Sequence, residues 1–391
     1  MKFSFSRSKV SLSIYILFLI SYMIQTSNLY NQYGHFAKGL IVSIYVLAYI
    51  LATLLLSTQK YTFRSITWIC FLLVVGICVF KVNYQSDVIE SLTVFNMMIM
   101  IISSKNIDID EYIRKDIIVR TSTTIILFLL SISGIITNIV TSRSNGVIRA
   151  AWGYGHANRF GSAIFLMILY YTYIHRKELT KKLIFIQVIS CVVVYVLSNS
   201  RTATLGILSI ILFTLIVKMY PAIKRRKKVF TNIFLATLGI VSLFLIYGII
   251  HFDPNSEIYK GINTLFNSRL ELATLYNDYY NITPFGAGSR VYTWNEVQTL
   301  GLSRALTSID ILYIKILYNY GIITFIIYLY ILIYIIRYSS KNNVFMLFSI
   351  IIICVMSFME NQYFSPTSNV FILLFSWKVY GTKNVTKYIE E

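Results

Sequence analysis

Long apolar runs separated by short polar links make up most of this chain. Runs near the roughly 20 residues that a helix needs to cross a bilayer occupy 10–27, 39–57, 66–83, 88–104, 117–140, 160–175, 182–198, 202–219, 230–250, 308–337, 344–359 and 366–380. They predict about twelve spans. The alternation breaks at 251–307, a polar interruption between the ninth and tenth runs that is long enough to form a small functional module. Within it Ile258, Ile262, Leu265, Phe266, Leu270 and Ala273 recur at helical spacing and predict an amphipathic helix lying on the membrane surface and ending before Pro284. The following Pro284-Phe285-Gly286-Ala287-Gly288 joins a helix breaker to two glycines, where backbone can approach a ligand closely. No internal repeat and no low-complexity segment is visible.

Composition agrees with a membrane protein. Of 391 residues 57% are apolar and 13% charged, which leaves too little polar surface for a soluble globule. The expected fold is an all-α polytopic membrane protein, a single domain over 1–391 with the large loop 251–307 forming part of its site. Lys60 and Arg64, Lys105 to Lys115, Arg176 to Lys182, Lys218 to Lys228, Arg337 to Lys341 and Lys378 to Lys387 all fall on one side of these spans. The positive-inside rule makes that side, and both termini, cytoplasmic. The formal charge of +19 then belongs mostly to loops beside anionic lipid and does not point to nucleic acid. The first span is too long for a removable signal peptide and lacks its cleavage pattern, so it is expected to remain. Cys70, Cys78, Cys191 and Cys354 lie in or beside apolar runs without metal or redox spacing and read as packing residues.

The arginines change the picture. With that topology Arg143, Arg149, Arg159, Arg201, Arg269, Arg290 and Arg304 fall on the outer face, where the same rule disfavours them. Guanidinium grips phosphate bidentately and lysine does so less well, so these residues predict a site for a phosphate-bearing lipid.

Four outer constellations carry candidate chemistry. His156, Asn158 and Arg159 follow Gly153-Tyr154-Gly155 at a membrane entry, which also suits a plain helix start with an interfacial belt. Arg201, in the short link Asn199-Ser200-Arg201-Thr202, costs about 2–3 kcal/mol that close to hydrocarbon unless it is paired or faces water; it is expected to point into a site, the alternative being snorkelling to headgroups. Arg269 and Glu271 are two apart and cannot face each other on a helix, so each is left for another partner. Asp310 and Glu360 stand at outer membrane boundaries, as a general base or, respectively, as a helix cap and an arginine partner. Asp108-Ile109-Asp110 has no nucleotide-binding fold around it and reads as a solvated inner turn.

The order Gly155-His156-Ala157-Asn158, Ser200-Arg201-Thr202, Ser268-Arg269, Pro284 to Gly288, then Asp310 through Tyr320-Gly321-Ile322 and Glu360 to Asn369, resembles the Wzy and O-antigen ligase-like superfamily. The likeness covers roughly 150–375 and is nearest to capsular-polysaccharide polymerases. It implies a GT-C-like membrane architecture and a bacterial cytoplasmic membrane location. The implied activity is metal-independent polymerisation, on the outer face, of oligosaccharide units carried on a polyprenyl (undecaprenyl) diphosphate, with no cofactor. A flippase and a chain-length regulator are implied partners. Ligases of the superfamily have a histidine near the end of the large loop, where this chain has Asp310; the difference favours a polymerase. Arg201 and Arg269 are then expected on the diphosphates, supported by Arg290, Arg159 and Arg304 with His156 and Asn158. Asp310, or second Glu360, is the expected base. A ligase passing finished glycan to another acceptor is one alternative. A flippase of lipid-linked oligosaccharide is another, against which the chain shows no repeat and no evident intramembrane charge cluster.

Overall fold

The computed structural model describes residues 6–84, 88–142, 146–222, 227–251, 253, 256–265, 269, 271, 273–274, 279–288, 299 and 309–381. Its elements begin with α1 (Arg7–Thr26), α2 (Asn28–Gln32), α3 (Gly34–Ser57), α4 (Phe63–Asn83), α5 (Val88–Ser91), α6 (Thr93–Ser103) and α7 (Ile109–Ile132). Strands β1 (Val140–Ser142) and β2 (Ile148–Ala150) precede α8 (Ala157–Ile174), α9 (Lys181–Ser198), α10 (Arg201–Met219), α11 (Lys227–Ile250) and α12 (Glu257–Leu265). Last come α13 (Leu312–Lys315), a π-helical turn over Ile316–Tyr320, α14 (Gly321–Asn342), α15 (Val344–Met356) and α16 (Val370–Tyr380), which starts as a 3₁₀ turn.

Each predicted apolar run coincides with helix over most of its length. Seven stretches among the described residues are long and apolar enough to cross a membrane: α1, α3, α4, α9, α10, α11 and the continuous α13–α14. The exposed faces of these helices are apolar, as with Ile50 and Leu54 on α3 and Leu205 and Leu212 on α10, which suits lipid as solvent. The protein is a membrane-embedded helical bundle. It departs from a purely α fold at β1 and β2, an antiparallel pair in the register Val140↔Ala150. The predicted run 117–140 is displaced for the same reason: α7 starts at Ile109, capped by Asp108, and stops at Ile132. Asp108 therefore caps a helix, and Asp110, in its first turn, forms a partly buried ion pair with Arg176 at 2.8 Å, so the pair is a helix start and not the solvated turn expected.

An intramembrane charge cluster is present, contrary to the sequence reading. Asp116 and Arg120, one turn apart on α7, form a fully buried ion pair at 2.9 Å. Tyr15 donates to Asp116 at 2.6 Å, and Arg120 Nη2 donates to the Thr367 carbonyl at 2.7 Å.

Two irregular segments shape one end of the bundle. Helix α15 has 13 residues, about 20 Å of rise, against the roughly 30 Å of a hydrocarbon core. The chain that follows, 357–369, turns back without regular helix and is mostly buried. Irregular backbone that is buried needs internal partners, and it has them. The Ser357 carbonyl accepts from Leu312 N at 2.9 Å, and Val370 N donates to the Tyr170 hydroxyl at 3.1 Å. The second segment, 283–288, docks on the break between the π-turn and α14. Ile322 N donates to the Thr283 carbonyl at 3.0 Å, and Ala287 N to the Tyr318 carbonyl at 2.9 Å. A Cβ at Gly321 would lie 2.4 Å from Gly286 N, and one at Gly286 2.2 Å from the Asn319 carbonyl oxygen. These glycines admit backbone against backbone, not a ligand as the sequence suggested.

Candidate functional site

Helices α8 and α10 start side by side. A Cβ at Gly161 would lie 2.6 Å from the Ser200 Cβ, so only glycine lets the two first turns approach this closely. Asn199, left-handed at φ 46°, ends α9 and turns the chain directly into α10. His156 caps α8, its Nδ1 accepting from Asn158 N at 3.1 Å. Asn158 then faces Glu360 of the irregular segment, and its Nδ2 donates to Glu360 Oε1 at 2.9 Å.

Around this contact the predicted residues converge. Arg269 Nε donates to Asp310 Oδ2 at 3.2 Å, and its Nη2 lies 3.8 Å from Glu360 Oε1. One guanidinium thus bridges the two candidate carboxylates, with Met359 Sδ also within 3.5 Å. Glu271 takes no part in that bridge and accepts from Asn263 at 3.0 Å. Asp310 does not cap α13, whose N-cap is Ile311. The two carboxyls differ in access: the Asp310 side chain is 41% exposed and that of Glu360 9%. Burial pushes Glu360 up to about 7, opposed by Arg269 and reinforced by Asp310. Partial desolvation lowers His156 to about 4, although the residue as a whole is exposed; Arg149, Arg159 and Arg269 add to the effect and Asp310 opposes it. The histidine is therefore neutral at pH 7, as its capping nitrogen requires.

Arg159 and Arg201 are exposed and occupy the first turns of α8 and α10. Among the described residues neither side chain makes a hydrogen bond or ion pair. Arg201 does not turn inward as expected; its neighbour Thr202 reaches Glu360 instead. Cations in a first helical turn oppose the helix dipole, so this pair of guanidiniums is poised for an anion. Arg290 and Arg304 lie outside the described residues, as does Arg143. The amphipathic helix is described over α12 and at 269, 271 and 273–274; Phe266 and Leu270 fall outside.

Two arginines outside the four outer constellations belong beside the site; sequence reasoning counts Arg149 only among the outer arginines, and Arg120 not at all. Arg149, on β2, donates to Asn158 Oδ1 and to the Ser198 carbonyl. Arg120 lies under the irregular segment. The Asp-x-x-x-Arg spacing on α7 is the signal for Arg120, and Asn145-Gly146 between short apolar stretches is the hairpin signal for Arg149.

Comparison with protein-family models, with characterised proteins and with solved structures finds no match.

Proposed function

We propose that this chain polymerises polyprenyl-diphosphate-linked oligosaccharide units, on the outer face of a bacterial cytoplasmic membrane, as a Wzy-type glycosyltransferase. The observation that carries the reading is the exposed, unpartnered pair Arg159 and Arg201 beside the Arg269 bridge between Asp310 and Glu360. In this reading all twelve helical runs belong to the membrane domain. The end bearing the site faces outward, because Lys60, Lys105, Lys218 and Lys341 gather at the other ends of the helices.

Arg159 and Arg201 receive the donor diphosphate, with the N-terminal end of α10 turned towards it. Asp310, the accessible carboxylate, takes the proton of an acceptor hydroxyl, since a base must first reach the proton. The hydroxyl oxygen bonds to the anomeric carbon, the bond from that carbon to the phosphate oxygen breaks, and lipid diphosphate leaves with the electron pair. Arg269 orients Asp310 and lies close to the charge developing on the leaving group. Glu360 and Asn158 hold Arg269 and α8 in place. A single direct displacement inverts the anomeric centre.

The test is a product balance with purified protein, lipid-linked units and no nucleotide sugar. A polymerase releases free lipid diphosphate in step with each new glycosidic bond. A ligase releases it only when a different acceptor is added. A second reading, transport of lipid-linked oligosaccharide, draws on the buried Asp116–Arg120 pair beneath a discontinuous segment. A transporter would move a fluorescent lipid-linked oligosaccharide between vesicle leaflets and form no bond.

A further inference from the structure

Helix α1 ends beside the start of α8, where Gly155 N donates to the Thr26 carbonyl at 2.9 Å. Its other end, remote from the candidate site, lies among cations from several parts of the chain. Arg7 Nη2 donates to the Thr58 carbonyl at 2.7 Å, and Lys105 Nζ to the Lys60 carbonyl at 2.8 Å. Lys105 also lies 6.0 Å from the ring centre of Tyr61 and 5.1 Å from that of Tyr380, two rings stacked on each other. Arg64 Nη2 donates to the Lys378 carbonyl at 3.3 Å. Arg7, Lys105 and Arg64 therefore all meet on one short stretch, 58–64, which links α3 to α4, with the end of α16 against it.

Among the described residues none of these three cations has a carboxylate partner. Carbonyls and ring faces satisfy donors without cancelling charge. The first turns of α1 and α4, which hold Arg7 and Arg64, contain no acidic residue, although a helix start favours an anion. Burial and the nearby Arg7 push the Lys105 ammonium below its ordinary value, the mark of a positive charge left uncompensated. Each guanidinium engages only Nη2, so Nε and Nη1 remain to grip an anion. An apolar surface adjoins the cluster: Phe63 is 87% exposed, and Ile66, Phe71 and Val74 follow on the same exposed face of α4. Acyl chains suit that surface, and a soluble anion has no use for it.

We propose that this cluster binds the phosphate of an anionic phospholipid, held by Arg7, Arg64 and Lys105 with its acyl chains along α4. This goes beyond the attraction of basic loops to an anionic leaflet, because three cations from separate segments converge on one link. The leaflet concerned follows from the orientation argued above; the binding itself rests neither on that orientation nor on glycosyl transfer. The lipid joins the end of α16 to the starts of α1 and α4, and so stiffens the helix that follows the irregular segment.

Native mass spectrometry and thermal unfolding of the purified full chain provide the test, with phosphatidylglycerol as the probe, phosphatidylcholine as the zwitterionic control and inorganic phosphate as the soluble one. Phosphatidylglycerol is expected to stay bound where phosphatidylcholine is lost, and to raise the unfolding temperature. Arg7→Gln/Arg64→Gln is expected to weaken one equivalent about 30-fold, two interfacial charges at roughly fivefold each. Lys181→Gln/Lys182→Gln makes the same change of charge at exposed positions in the first turn of α9, and is expected to leave that equivalent unchanged. Equal weakening by the two pairs, or none by Arg7→Gln/Arg64→Gln, would overturn a discrete site. Equal retention of the two lipids by the unmodified protein would overturn anion recognition without any variant. Stabilisation by inorganic phosphate as large as that by phosphatidylglycerol would overturn the lipid as the ligand.

Discussion

Asn158 and Glu360 stand 202 positions apart in the chain and meet through a hydrogen bond of 2.9 Å. That bond ties the first turn of α8 to the irregular segment, and so fixes the exposed arginines of two helix starts relative to the Arg269 bridge. It also leaves a carboxyl group in a place that disfavours its charge.

Glu360, raised to about 7 from an ordinary 4.5, makes stability depend on pH. Between those values the folded protein keeps a proton that the unfolded chain has released. Stability therefore falls as pH rises from 4.5 through 7 and levels above it, by an amount on the order of 3 kcal/mol. Glu360→Gln mimics the protonated form. Thermal unfolding across this window is expected to lose most of its slope in the variant, which becomes the more stable protein above pH 7. An unchanged slope would place the titrating group elsewhere.

For His156 the sign reverses. Its lowered value, about 4, means that the unfolded chain takes up a proton first as pH drops below about 6.5. Stability contributed by this group is present above that value and is lost as pH falls towards 4. His156→Asn preserves an N-cap acceptor and is expected to retain activity, whereas His156→Ala forfeits about 1 kcal/mol of stability. Inactivity of a well-folded Asn variant would show that the imidazole does chemistry beyond capping.

Gly286 and Gly321 both have left-handed backbone, φ 103° and 84°, and each abuts the other segment. Gly286→Ala is expected to detach 283–288 from α14 and reduce product formation at least tenfold, as misplacement of a site-bearing loop does. Gly261→Ala, with open space around it, is expected to leave activity intact. Limited proteolysis of 283–288 with product assays on both variants checks the contrast.

Arg120→Met removes one half of a buried ion pair and leaves Asp116 charged or forces it to take a proton. A loss of roughly 3–5 kcal/mol is expected, with much of it recovered in the double variant Asp116→Leu/Arg120→Met. Chemical denaturation in detergent gives both numbers. No recovery in the double variant would mean that the Thr367 contact at 2.7 Å, and not charge compensation, dominates.

The helical bundle was legible because hydrocarbon forces apolar runs of nearly constant length. Arg269, Asp310 and Glu360 were legible because charged groups at membrane boundaries need partners, and each supplied one to another. Arg120 was hidden by its own helix: the charges from Asp110 to Arg120 resemble an inner loop until α7 is seen to begin at Ile109. The glycines of 283–288 looked like ligand-approach positions, since sequence does not show that a break at Gly321 waits to receive them. Arg201 was expected inward on the cost of an arginine near hydrocarbon. At the first position of α10 it reaches the surface and avoids that cost.

The most direct measurement is the product ladder formed by purified, reconstituted protein from lipid-linked repeat units alone, compared with Asp310→Asn and Arg201→Lys. Wild-type protein is expected to give a ladder. Asp310→Asn, folded and still bound to Arg269 through its amide oxygen, is expected to lose it by about 100-fold or more; Arg201→Lys is expected to shorten it, because lysine cannot hold phosphate bidentately. A full ladder from Asp310→Asn, or no ladder from wild-type protein that still moves lipid-linked oligosaccharide between leaflets, would contradict glycosyl transfer at this site.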